Sequence, residues 1–158
     1  MVIKTIYTLF LALLIALFVG LGIDSFYQGP TRPEYPMELN LSKPNNSELT
    51  IEQQNIEKEF YAQQKEHDAL SKVYNRNVSI VTLICSIIIL VLSLTFMAKI
   101  KMIADGILLG GVFTTAYGII RGFMSDSSQF RFLVVTIGLL IALILGYVKF
   151  IRPSKFVE

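Results

Sequence analysis

The chain holds one histidine, His67, set between Glu66 and Asp68. An imidazole flanked by carboxylates can titrate near neutral pH and act as a sensor. Metal binding needs further ligands at fixed spacing, and no His, Cys and carboxylate cluster accompanies it. The plainer reading of His67 is a surface residue on an exposed helix. The single cysteine, Cys85, excludes an intrachain disulfide. It lies inside an apolar run, where a lipid-facing or packed thiol is a simpler expectation than a redox or palmitoylation site. No nucleophile and base pair, paired carboxylates, glycine-rich phosphate loop or zinc spacing can be found. The sequence therefore predicts no catalytic residue, no cofactor and no metal, and the protein is not expected to be an enzyme.

Two charges stand at the edges of apolar sequence. Asp105 lies near the start of a run that Arg121 nearly closes. A carboxylate close to a helix start is favoured by the macrodipole, so capping suffices to explain Asp105. Arg121 falls about one turn inside the opposite boundary and is expected to snorkel or to pair with Asp126. No Asp, Glu, Lys or His occupies the middle of any apolar run. Proton relays and ion-coupled carriers usually need such groups, which counts against transport. Between the two charges, Gly106, Gly110, Thr114, Gly118 and Gly122 recur every four residues, and Gly111 and Thr115 widen the strip. Small residues at that spacing let helix backbones approach closely in lipid. The pattern leaves open whether the neighbouring helix comes from the same chain or from a second copy.

These residues sit on four long apolar runs, 5–23, 78–98, 103–124 and 130–150. Crossing a bilayer core of roughly 30 Å takes a helix of about 20 mostly apolar residues. Without water the backbone must satisfy its own hydrogen bonds, so each run is expected to be helical. A hydrophobic fraction of 53 % and a mean hydropathy of +0.58 exclude an ordinary soluble domain. A net charge of +2 gives no case for nucleic acid. The first run follows Lys4 and reaches Gly20 and Gly22, which resembles a signal peptide. Its apolar stretch of about 18 residues is longer than a signal core, so a retained anchor is expected. Four spans place both termini on one side. The denser crowding of Lys4, Lys99, Lys101, Lys149, Arg152 and Lys155 there predicts cytoplasmic termini in a multi-pass cell-membrane protein.

The insert between the first two spans has two grammars. Residues 24–49 contain Pro30, Pro33, Pro36 and Pro44 and are expected to be extended. Within them Met37, Leu39 and Leu41 alternate with polar residues, giving one apolar edge. Residues 50–77 are strong helix formers without Gly or Pro, and Thr50 with Gln53 reads as a capping box. Ile56, Phe60, Gln63, His67, Leu70 and Tyr74 follow at alternating spacings of four and three. The same register continues through Asn77, Val81, Ile84, Ile88 and Val91. One helix from 50 to about 98 is therefore expected, rising about 40 Å beyond the bilayer. Three arrangements account for its seam: cover by residues 24–49, with Met37, Leu39 and Leu41 on the side of Ile56, Phe60 and Leu70; pairing with a second copy as a coiled coil; or a weak stripe left in water.

The segment GIDSFYQGPTRPEYP at 22–36 resembles the start of the extracytoplasmic region in small prokaryotic four-span membrane proteins of uncharacterised activity. That resemblance spans about the first forty residues and implies membership without an activity. The order of one span, a stalk and three spans is similar to that of membrane insertases, but the insert has one helical arm and the spans lack their charged groove. Tetraspanins and claudins also have four spans, but they carry cysteine motifs absent here.

The sequence thus predicts an all-α membrane protein with four transmembrane helices and an extramembrane helical stalk continuous with the second span. Its parts are span 1 (1–23), an extended proline-rich segment (24–49), the stalk (50–77) and spans 2 to 4 (78–158). The expected role is an interaction or assembly subunit in the lipid bilayer. It would engage a membrane protein partner, or a second copy of itself, through Ile56, Phe60, His67, Leu70 and Tyr74 on the stalk and through the glycine strip. The alternative is a subunit of a small oligomeric channel or transporter, with Thr114, Thr115, Tyr117 and Arg121 lining a path.

Overall fold

The structure, a computed structural model, describes residues 2–37, 51–96 and 100–151. Its elements in chain order are α1 (Val2–Phe26), α2 (Ile51–Phe96), α3 (Lys101–Phe123) and α4 (Ser128–Gly146), the last running into a π-helical turn (Tyr147–Ile151). All four α-helices are long and apolar enough to cross a membrane, which marks a multi-pass membrane protein, all-helical among the described residues. Thr50 and Ala98, at the ends of the expected long helix, lie outside the described residues, as do Leu39 and Leu41.

Helix α2 runs unbroken for 46 residues. At 1.5 Å per residue that is about 69 Å, more than twice the bilayer core. The absence of Gly and Pro from this stretch explains its continuity. Helix α3 is the hub. It packs against α1 on one side and α2 on another, and more lightly against α4, while α1 and α2 barely meet. At the α3–α4 turn, the Met124 and Ser125 amides donate to the Arg121 and Gly122 carbonyls at 3.1 Å. Ser127 then caps α4, its hydroxyl accepting the Phe130 amide at 3.3 Å. Arg131 clamps the turn from below, donating to the Ser125 carbonyl from Nε at 3.0 Å and Nη2 at 2.6 Å.

The packed interior is made of small and hydroxyl side chains. Ser79, Thr82, Ser86, Ser93, Thr114 and Thr115 are buried beside Ala12, Val78, Leu83, Leu90, Ala104 and Val134. Lipid tails are as apolar as leucine, so burying large apolar groups between helices gains little. Close approach and hydrogen bonds hold the bundle instead. This inverts the register read from sequence. Val81, Ile84, Ile88 and Val91 are 45–58 % exposed, while the opposite stripe of Ser79, Thr82, Ser86 and Ser93 faces α3. An apolar seam marks the inner face of a helix in water. In the membrane part of α2 it marks the outer one.

Candidate functional site

The glycine strip of α3 divides between α1 and α2, and at Gly122 it also meets α4. A Cβ added at Gly106 would lie 2.7 Å from Leu11 Cδ2, and one at Gly110 would lie 2.9 Å from Ile15 Cβ, both on α1. At Gly111 it would meet Leu90 Cδ2 at 2.5 Å, and at Gly118 it would meet Leu83 Cγ and Thr82 Cγ2 at 3.3 Å, all on α2. A Cβ added at Gly122 would lie 2.9 Å from Ser79 Oγ on α2 and 3.0 Å from Val134 Cγ1 on α4. Backbone carbonyls exposed by this approach are reached from α2. Ser79 Oγ donates to the Gly118 carbonyl at 2.7 Å and Ser93 Oγ to the Ala104 carbonyl at 2.8 Å. Thr114 and Thr115 donate to carbonyls of their own helix, Gly110 at 2.8 Å and Gly111 at 2.9 Å. The two threonine hydroxyls are therefore satisfied and buried, and they line no open path within the chain.

A second cluster gathers where α2 passes the end of α3. After α1 the chain turns up along α2. Tyr27 stacks on Tyr74 with ring centroids 5.1 Å apart, and the Asn77 amide donates to the Tyr27 hydroxyl at 3.0 Å. Gly29 lies flat against Tyr74, where an added Cβ would sit 3.2 Å from the ring. Farther along, Tyr35 meets Phe60 edge-on at 5.2 Å. Residues 27–36, which have no regular secondary structure, thus follow the α2 face bearing Phe60, His67 and Tyr74. Ile56 is half-buried, but Leu70 is 53 % exposed and Met37 80 % exposed, so Tyr35 rather than Met37 supplies the cover. The geometry of the helix explains Leu70. At about 100° per residue it falls roughly 80° off Phe60, whereas Ser71 and Tyr74 stay within about 40°.

Arg121 sits in this cluster without a carboxylate partner among the described residues. Its Nε donates to the Tyr117 hydroxyl and its Nη1 to Asn75 Oδ1, both at 2.9 Å. The guanidinium carbon lies 5.3 Å from the Tyr117 ring centre and 5.8 Å from that of Tyr74, within cation–π range. The expected pairing with Asp126 does not form. Asp126 Oδ1 is held by Lys72 Nζ from α2 at 2.9 Å. That hydrogen bond and charge keep the exposed Asp126 carboxyl below its ordinary value. Between residues 29–33 and α2 lies a cavity of about 550 Å³, with Arg32, Gln64, His67, Ser71 and Arg121 among its lining. The His67 side chain is 14 % exposed, with Nδ1 and Nε2 each 3.4 Å from Asp68 Oδ1 and Ser71 Oγ respectively. It is a covered residue, not a surface one.

At the other end of the bundle Asp105 does not cap α3, whose N-cap is Ile100 and has no side-chain bond. It pairs instead with Lys149 Nζ at 2.5 Å, delivered by the π-helical turn after α4. Sequence reasoning passed over Ser79, Asn75 and Tyr27 as site residues. Ser79 had a signal, since Ser79, Thr82, Ser86 and Ser93 repeat at helical spacing, and Tyr27 had one as an aromatic ring just beyond the first span. Among the described residues no three His, Cys, Asp or Glu side chains gather into a metal-binding group. Comparison with known proteins yields no matching family model, no similar curated protein and no similar solved structure.

Proposed function

We propose that this chain is a membrane-embedded interaction or assembly subunit whose extracytoplasmic stalk, the part of α2 before residue 78, engages a protein partner. One observation carries the reading. The glycine strip is used against helices of the same chain, whereas the outer stalk keeps Leu70 and Val73 about half exposed on one face. A partner surface is therefore sought on the stalk, not on the strip. The channel alternative draws less support, because Thr114, Thr115, Tyr117 and Arg121 all have partners within the chain. Site-specific photo-crosslinking in intact membranes tests the proposal. A crosslinker at Leu70 or Val73 is expected to give the same discrete protein adduct, and one at Leu92 in the apolar part of α2 only lipid. No protein adduct from either stalk position, together with solute flux through reconstituted vesicles, would replace this reading with the channel.

A further inference from the structure

We propose that the cavity at the foot of the stalk binds a phosphate-bearing anion, with Arg121 and Arg32 as its charged donors. This goes beyond the partner reading and does not depend on it. The first support is the state of Arg121. Its guanidinium is fixed by two neutral acceptors, Tyr117 and Asn75, and by two tyrosine rings, and it forms no ion pair with an acid among the described residues, although the Asp24 charge acts on the adjacent Tyr74. Asp126, the nearest acid along the chain, is held by Lys72.

The second support is donor chemistry. Of the five guanidinium N–H groups, the two bonds above use two, which leaves donors for another ligand. Asn75 accepts from Arg121 through its carbonyl oxygen, so its amide remains a donor. Arg32, Gln64, His67 and Ser71 add further donors around the same space. The one lining acid, Asp68, leans on His67 and is 62 % exposed at its side chain. Planar guanidinium groups match the oxygen geometry of phosphate better than any other side chain. A volume of about 550 Å³ accommodates a phosphate ester or a phosphodiester headgroup. Tyr74 and Tyr117 flank Arg121, and Tyr27 stacks on Tyr74, as rings gather at the headgroup level of a bilayer. A phospholipid headgroup and a soluble phosphate ester share this chemistry.

The test uses the delipidated full chain in a non-ionic detergent, with Cys85 reporting unfolding through a thiol-reactive dye. Glycerol phosphate, phosphatidylglycerol and phosphate-free diacylglycerol are titrated separately at matched ionic strength. A concentration-dependent rise in melting temperature with a phosphate-bearing additive, and none with diacylglycerol, is the expected result. A rise with phosphatidylglycerol alone identifies a lipid headgroup, and a rise with glycerol phosphate as well identifies a soluble ester. Arg32→Gln should raise the half-saturating concentration about tenfold. That variant is chosen because Arg32 is exposed, so loss of fold does not imitate loss of binding. Arg121→Lys should weaken saturation further, since an ammonium lacks the fork. Absence of any rise, an equal rise with diacylglycerol, or unchanged saturation in Arg32→Gln overturns the proposal.

Discussion

Gly110 and Gly22 are the same residue type in opposite surroundings. A Cβ at Gly110 would stand 2.9 Å from the Cβ of Ile15, an atom that cannot move without its backbone, whereas one at Gly22 meets nothing within 4 Å. Overpacking of this kind costs roughly 1–3 kcal/mol. Relief from glycine in a helix interior returns up to about 1 kcal/mol in either case. Gly110→Ala is therefore expected to lower thermal stability in detergent, and Gly22→Ala to leave it unchanged or slightly raised. Equal midpoints for the two would show that α1 and α3 do not approach this closely. Gly111 is a softer site, because the atoms it would meet belong to the end of the Leu90 side chain. At this scale the small-residue strip was legible from spacing alone, but its division between α1 and α2 was not, since spacing carries no identity for the neighbour. Arg121 shows the same gap. Asp126 is five residues away and Asn75 forty-six, yet only the latter touches it.

At the scale of elements, α2 carries two different rules along one helix. Along the stalk, Phe60 and Tyr74 turn toward the cover supplied by residues 27–36, as they would in water. After residue 78 the side chains of Ser79, Thr82, Ser86 and Ser93 turn inward and those of Ile80, Ile84, Ile87 and Ile88 outward, as lipid demands. A single heptad register extended from the stalk into the span missed this change of solvent. The helix itself was legible from composition. Its inner face was not, because hydrophobicity changes meaning at the boundary. The junction is tied by Lys72 and Asp126, which link α2 to the α3–α4 turn. The folded-state value of Asp126 is lowered, so the pair stabilises the fold above the ordinary carboxylate value and is lost as pH falls through the folded one. Asp126→Asn should accordingly lower the melting temperature slightly at pH 6, with the difference shrinking as pH falls below the ordinary carboxylate value. The effect is small because the carboxylate is fully exposed. A difference that does not shrink as pH falls would assign it to something other than this ion pair.

For the whole molecule, the hub position of α3 and the lightly packed α4 leave a broad apolar exterior, with Phe18, Ile84, Leu139 and Leu143 all more than half exposed. A surface of that character exceeds what a water-soluble monomer leaves uncovered and fits acyl chains instead. Four crossings return the chain to its starting side, so Lys4 and the turn after α4 share one face and the stalk leaves the other. Orientation then depends on where cations are dense. The terminal face gathers Lys4, Lys101 and Lys149 close to span ends; the stalk side has Arg76, Arg121 and Arg131 at span ends too and spreads its other bases along a long insert. By density, with Lys99, Arg152 and Lys155 added to the terminal face, the termini are expected in the cytoplasm, although the stalk side carries more cations in all. Single cysteines placed at Lys4 and at Tyr61 in a Cys85→Ser background test this with a membrane-impermeant maleimide on intact cells. Labelling of the Tyr61 position alone is the expected outcome, with Lys4 labelled only after permeabilisation. Labelling of Lys4 alone would invert the protein in the membrane and place the stalk, and the cavity beside it, in the cytoplasm. Labelling of both without permeabilisation would break the even count of crossings, and with it the reading of all four helices as spans.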